Sequence, residues 1–261
     1  MKKILVICVL ASVVLISCKN NCNQKVKIEE SQDYLINSVL WYQCSGEMRA
    51  SYYQAFMLAE LMLEKNLKND TSTKPAAVVL DIDETLLDNS NFNGNMILEN
   101  KSFDQQDWFK WTEKAEANAL PGAIEFLNFA KELGVEIFYI SNRMEEELNQ
   151  TITNMNALGF PETKPEHFLL KSTTSNKFDR RNIILEDYNI ILFVGDNLGD
   201  FNNDFDNRTD NYAFESVDAN KDMFGTKYII LPNPMYGTWE KGVLTGEGNK
   251  TEQRKSHIRG F

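Results

Sequence analysis

Residues 78–90 read VVLDIDETLLDNS, and the run that leads into them, Ala76 to Leu80, has no polar residue to turn towards water. Such a run predicts a strand buried on both faces of a sheet. It stops abruptly at Asp81, and Asp83 follows two residues later. Side chains two apart on extended backbone face the same way, so both carboxylates are expected to address one pocket. Two carboxylates that close repel, and a cation or a proton relieves the repulsion. Oxygen-only ligands favour Mg2+ over zinc or copper. Acidic triplets of this kind also occur in chance turns; the buried strand before this one and Thr85 after it set it apart.

Working outward, Ser31 to about Lys68 carries apolar residues at three- and four-residue spacing without proline, which predicts helix, broken near Ser45-Gly46. Asn89 to Gly94 reads as a polar, turn-rich stretch, and a helical patch follows from about Asp104 to Ala117. Leu120-Pro121-Gly122 introduces a helix to Leu133, closed by Gly134. Further strands are expected at Val135–Ile140, Phe168–Leu170, Ile190–Val194 and Tyr228–Leu231, with a helix at Glu145–Leu158 and a helix or strand near Asn182. Apolar strands alternating with helices predict an α/β fold: a Rossmann-like, doubly wound, mainly parallel sheet with helices on both faces. In such sheets ligands bind beyond the carboxyl ends of the strands.

Three strands end in polar turns, which is where chemistry is expected. Ser141-Asn142-Arg143 offers a hydroxyl and an amide for phosphate oxygens, with strand-end N–H groups as further donors, although Ser and Asn are favoured in any turn. Lys177 lies in a polar, basic loop with Lys171, Arg180 and Arg181, and a lysine reaching the site would offset the charge of nucleophile and phosphate; Arg143 could add to it. Gly195-Asp196-Asn197-Leu198-Gly199-Asp200 supplies a third acidic strand end. Asp196 would complete the protein ligands of the metal, and Asp200 would orient waters or neighbouring groups around it.

The chain has 261 residues, 43% hydrophobic and 25% charged, with a net charge of -11. An acidic body argues against a nucleic-acid polymer as partner, because backbone phosphates call for a basic face. A small anionic substrate needs only a local basic pocket. Residues 1–17 read as a leader: Lys2 and Lys3, then an apolar run broken by Ser12, too short for a comfortable membrane span. Leu15-Ile16-Ser17-Cys18 looks like a lipobox, with Cys18 acylated and residues 18–30 acting as a tether. The expectation is an exported, lipid-anchored protein of the cell envelope, at the outer membrane. Cys22 and Cys44 could pair in an oxidising compartment or remain free thiols.

With these features in place the chain resembles the haloacid dehalogenase superfamily, whose four motifs are met in order by Asp81/Asp83, Ser141, Lys177 and Asp196/Asp200. More narrowly it is similar to the class C acid phosphatases, bacterial outer-membrane lipoprotein phosphatases. WYQCSGEMRASYYQAF (41–56), VVLDIDETLLDNS (78–90), ALPGAIEFLNFA (119–130), ISNR (140–143), GDNLGDF (195–201) and LPNPMYGTWE (231–240) carry the likeness. Cys44 and Gly199 depart from it. The resemblance implies that Asp81 attacks phosphorus to give an aspartyl-phosphate, while Asp83 protonates the leaving oxygen and then activates water. It implies Mg2+ held by the Asp81 and Asp196 carboxylates and the Asp83 backbone carbonyl, with Ser141, Asn142 and Lys177 on the remaining phosphate oxygens. It also implies one phosphatase domain over residues 31–261, with a smaller, mainly helical cap drawn from about 31–70 and 88–120. The oligomeric state stays open, a homodimer being one option.

Substrate choice falls to residues covering the site. Trp108, Trp111, Tyr236 and Trp239 flank or follow the motifs and could stack on a nucleobase or aryl group, Tyr236 foremost. The family likeness points to nucleoside 5'-monophosphates and nicotinamide mononucleotide. Histidine acid phosphatases are set aside, since His167 and His257 are the only histidines and neither sits in an Arg-His-Gly setting. Two other readings stay open: a surface-binding lipoprotein on an inactive phosphatase scaffold, and a phosphotransferase, which differs only in what accepts the phosphoryl group.

Overall fold

The computed structural model describes residues 32–261. Two helices open the described chain, α1 (Ile36–Cys44) and α2 (Gly46–Lys68). They part at Ser45, whose hydroxyl accepts from Met48 N at 3.1 Å and so caps the second helix. Met48, Tyr52, Phe56, Ala59 and Leu63 form its buried stripe at helical spacing. Asn66 pins the helix to the sheet by donating to Ile191 O at 2.9 Å and Thr226 O at 3.0 Å.

Strand β1 (Ala76–Leu80) comes next, then a two-residue strand β2 (Leu87–Asp88) and helices α3 (Ser90–Leu98) and α4 (Gln105–Thr112). A second short strand, β3 (Asn118–Ala119), pairs antiparallel with β2. Helix α5 (Ala123–Glu132) leads to β4 (Glu136–Met144), α6 (Leu148–Leu158), β5 (Phe168–Lys171), α7 (Phe178–Asp187) and β6 (Asn189–Gly195). Helix α8 (Phe214–Ala219), strand β7 (Tyr228–Ile230) and helix α9 (Lys250–Ser256) complete the order.

The five long strands form one parallel sheet in the order β5-β4-β1-β6-β7. The first strand is therefore central, and the chain winds outward on one side before returning to the other. This is the doubly wound α/β sheet expected from the sequence. Val78 and Leu80 of β1 belong to one core cluster, with α2 and α5, while Ala77 and Val79 belong to the other, which includes Ile184 of α7. That alternation makes β1 apolar throughout. Among the described residues no helix is long and apolar enough to cross a membrane.

Four local expectations are corrected. Asn89 to Gly94, read as turn-rich, becomes the first half of α3, because Phe92, Asn93 and Met96 are buried there and Phe92 and Met96 pack with Trp108. Tertiary packing overrides the weak helix propensity of Asn and Gly. The helical patch from Asp104 shortens to α4, with Asp104 capping it by accepting from Gln106 N at 2.8 Å. Ser141 to Arg143 do not turn away but continue β4, so Ser141 and Arg143 are buried and Asn142 between them is exposed. The basic loop ends at Lys177, and Arg180 and Arg181 lie buried on α7.

Of residues 31–70, expected as cap, α2 belongs to the sheet layer, in contact with α5, β6 and β7. The short 3-10 turn Gln32–Leu35 and α1 instead pack on α3, and with α4 this group stands over the carboxyl end of the sheet. Cys18, Cys22 and the leader lie outside the described residues; Cys44 is exposed and has no disulfide partner among the described residues.

Candidate active site

Asp81 extends β1 by one residue, its N–H donating to Val194 O at 3.0 Å and so keeping the ladder with β6 intact to the strand's end. Residues 82–87 then fold into a tight turn in which Leu86 N and Leu87 N both donate to Ile82 O, at 2.8 and 2.9 Å. Glu84 in this turn is wholly buried with φ +56°, a conformation that costs a non-glycine residue energy and persists only where surroundings hold it. Asn89 N donates to Glu84 Oε1 at 2.9 Å, and Tyr52, bonded in turn to Tyr42, donates to the Glu84 carbonyl. Burial first, and then Asp83 and Asp196, push the Glu84 carboxyl well above the usual glutamate range.

Lys177, at the amino end of α7, is buried between two acids. Its Nζ lies 2.5 Å from Asp81 Oδ1 and 2.7 Å from Asp200 Oδ1. Burial works against the ammonium, but Asp200 and Asp81 outweigh it and hold its pKa above the ordinary lysine value. Asp200 is fixed by its own loop: its Oδ2 accepts from Asn197 N at 2.9 Å, while Asn197 Oδ1 accepts from Gly199 N at 3.2 Å and from Thr238 Oγ1 at 2.6 Å. Asp196 follows β6, and its Oδ2 accepts from Asn233 Nδ2 at 2.8 Å.

Asp81, Asp196 and Asp200 each place a carboxylate oxygen within 4.8 Å of the others. Burial, only partly offset by Lys177 and reinforced by Asp200 and Asp83, pushes Asp81 up to about 7. Burial, Asp200 and Asp81 raise Asp196 well above the aspartate range. Fully ionised, the cluster would carry more negative charge than Lys177 offsets, all of it on oxygen, which is why these acids resist ionisation alone and why the donor set fits a hard divalent cation such as Mg2+.

Asp83 turns to the other side of the pocket. Its carboxylate accepts from Arg143 Nη2 at 2.8 Å and Nε at 3.0 Å, from Asn89 Nδ2 at 2.9 Å and from Ser141 Oγ at 3.2 Å. Asn142, on the opposite face of β4, accepts at Oδ1 from Arg180 Nη2 at 2.7 Å. Arg180 Nη1 also holds the Ser141 carbonyl at 2.5 Å. Arg181 fastens the facing loop, donating to Gly199 O at 2.9 Å and Asn203 Oδ1 at 2.6 Å. The two arginines staple the ends of β4 and β6, a task that a basic stretch in the sequence does not announce.

Asp81, Asp83, Asn142, Lys177, Asp196 and Asp200 all line one cavity of about 850 Å3. Ser141 stands behind the lining, bonded to Asp83. Trp108 and Tyr236 also line the cavity, from the cap side and from the segment after β7. Trp111 and Trp239 are not among its lining residues. The Trp111 indole is turned into the protein, where Nε1 donates to Asn89 Oδ1 at 2.8 Å, and Trp239 is 43% exposed beside Gly237. Asn89 and Asn233 join the site without having been singled out beforehand. Their signal was weak, since asparagine after a strand reads as turn chemistry.

The family described as "HAD superfamily, subfamily IIIB (Acid phosphatase)" matches residues 6–239. The class C acid phosphatase of Bacillus anthracis, solved with tungstate bound, is 37% identical with a TM-score of 0.83, over 88% of this chain and 98% of that one. Among curated relatives, vegetative storage protein 1 of Arabidopsis thaliana is 27% identical over 78% of this chain and 68% of its own length. Acid phosphatase 1 of Solanum lycopersicum is 28% identical over 47% of this chain and 50% of its own.

Proposed function

Because the chain belongs to the acid phosphatases of HAD subfamily IIIB and is a phosphomonoesterase, we propose that it works with Mg2+ and an Asp81 nucleophile on nucleoside 5'-monophosphates or nicotinamide mononucleotide. The observation that carries this reading is the mutually repelling trio of Asp81, Asp196 and Asp200, two buried and one half-buried, with Lys177 between Asp81 and Asp200. Asp81, Asp196 and the backbone carbonyl of Asp83 would hold the ion. Bound there, it would neutralise charge developing on the phosphoryl oxygens.

The remaining roles belong to the chain's own groups. An Asp81 carboxylate oxygen attacks phosphorus as the bond to the ester oxygen breaks, and a proton from Asp83 goes to the departing alkoxide. Water then attacks the aspartyl-phosphate, giving its proton to Asp83, and phosphate leaves with Asp81 restored. Lys177 and Asn142 line the cavity and would hold the non-reacting phosphate oxygens, and Ser141 would join them only by releasing Asp83. Tungstate, bound by the B. anthracis enzyme, is a tetrahedral oxyanion like phosphate, which supports reading this chain as a binder of tetrahedral oxyanions. Trp108 and Tyr236 offer apolar faces to a base.

The lipobox at Leu15–Cys18 supports attachment to the envelope through an acylated Cys18, at the outer membrane. Protein freed of metal by chelation, then assayed for phosphate release from nicotinamide mononucleotide and from nucleoside 5'-monophosphates, tests the enzymatic reading. Activity should vanish and return with Mg2+. Turnover that survives chelation overturns the metal role, and release from simple alkyl esters alone overturns the substrate class.

A further inference from the structure

Asn89 carries an amide whose two ends do opposite things, and its neighbours decide which end faces which way. Its Nδ2 lies 2.9 Å from Asp83 Oδ1 and its Oδ1 lies 2.8 Å from Trp111 Nε1. An indole nitrogen can only donate, and Asp83 Oδ1, which already accepts from Arg143 Nη2 and Nε, acts as an acceptor. The amide is therefore read unambiguously: oxygen to the indole, NH2 to the acid. Were it flipped, oxygen would face carboxylate and NH2 would face N–H, two repulsive contacts in a residue that is wholly buried.

Two other groups support the working orientation, and both contacts are long: Leu87 O accepts from Asn89 Nδ2 at 3.4 Å. Arg143 Nη2 approaches Asn89 Oδ1 at 3.5 Å, at the limit of a hydrogen bond, and is mainly engaged by Asp83 at 2.8 Å. The indole is the stronger key. It sits on α4, the helix that also places Trp108 at the cavity and over the Arg143 guanidinium, with the ring centroid 5.7 Å from Cζ. One cap helix thus touches both side chains that, with Ser141, hold the Asp83 carboxylate.

We propose that Trp111 is a positioning residue for Asp83, acting through Asn89: its indole N–H fixes the amide so that a donor faces the acid. The ring does not stack on the substrate. The proposal rests on the reading of Asp83 as general acid. A misplaced acid slows departure of a poor leaving group more than of a good one, because the poor one needs the proton more.

The test compares Trp111→Phe, which keeps an aromatic ring and removes the donor, with wild type on three substrates. For an alkyl phosphate such as glycerol phosphate, kcat should fall by about three- to tenfold, the scale of one hydrogen bond acting at one remove. For p-nitrophenyl phosphate it should fall less than about twofold, because the leaving group needs little help. KM for a nucleoside 5'-monophosphate should stay unchanged. Asn89→Ala should show the same leaving-group pattern, and adding Trp111→Phe to it should cost nothing further, since coupled residues do not add. A rise in nucleoside KM, an equal loss on alkyl and aryl esters, or additive losses in the double variant would each overturn the proposal. Asp83→Asn is the control that separates the two levels. If it too loses alkyl and aryl turnover equally, the general-acid reading falls and takes this proposal with it. If it shows the expected split and Trp111→Phe does not, this proposal alone falls.

Discussion

Asp200 occupies the space in which a side chain on Gly195 would lie: a Cβ there would meet Asp200 Oδ2 at 2.3 Å and Asp200 Cβ at 2.6 Å. The last residue of β6 is glycine because an acid five residues later folds back over it. Gly195→Ala should therefore displace Asp200 from Lys177 and from Asn197 N. We expect a loss of about 1–3 kcal/mol in stability, typical of overpacking, and a fall in kcat of at least tenfold. Denaturant unfolding and steady-state kinetics check both, and a variant with unchanged turnover would show that Asp200 need not hold its place.

Asp81→Asn should abolish turnover and leave the fold intact. An amide is a far poorer nucleophile, and the substitution removes a charge from a buried cluster that is already over-supplied with negative charge. Acid quench with labelled substrate should trap a phosphorylated wild-type chain and none in the variant. Residual activity above a few per cent of wild type would point to another nucleophile.

Without metal, stability should fall as pH rises. Asp81 is pushed up to about 7 in the folded chain, against about 3.9 for an unperturbed aspartate. Between those values the folded chain keeps a proton that the unfolded chain has already released, so unfolding becomes easier as pH climbs, by roughly 4 kcal/mol at most from Asp81. The decline should begin near pH 4, and Asp81's share of it should be complete above about 7, while Asp196 and Glu84, also raised by burial, add to it in the same direction. Melting of chelated protein across that window checks the sign. Asp81→Asn should make the curve shallower, and added Mg2+ should stabilise more at pH 7 than at pH 4.5, where protons compete for the same oxygens.

Tyr236→Ala should raise KM for nucleoside monophosphates by an amount corresponding to about 1–3 kcal/mol, the range for a base stacked on an aromatic ring. KM for a small alkyl phosphate should barely move, and kcat should change less than KM, since the ring touches a part of the substrate remote from phosphorus. Tyr236→Phe keeps the ring face and should be nearly silent. Equal weakening of both substrates would make Tyr236 a packing residue.

The sheet was legible in the sequence because its strands are apolar, and β1 and β6 stop at acid-bearing segments. Asp81 and Asp196 sit just where those two strands stop, and Lys177 and Asp200 follow within the next loops, so a reading outward from strand ends finds them. Asn89 and Arg143 were harder. Asn89 carries no charge and begins a helix that its Asn- and Gly-rich neighbours disguise as a loop. Arg143 looked like a turn residue because nothing local says that β4 runs on to Met144; that extension depends on Arg180 reaching across to the Ser141 carbonyl. Contacts between residues 39 positions apart leave no periodic trace. The same holds for Trp111, which reads as a candidate stacking ring until its N–H is seen to face inward.

The central place of β1 has a consequence for when the protein can work. Asp81, the proposed nucleophile, lies early in the chain, but the strands on either side of β1, β4 and β6, both come later. A polypeptide that has reached only Arg143 owns Asp81 and Asp83, yet one edge of β1 is still unpaired and Lys177, Asp196 and Asp200 do not exist. Activity therefore has no gradual onset as the chain folds. It arrives when the fourth strand of the sheet docks and brings the last acids to the first one, and any product cut short before that point releases no phosphate.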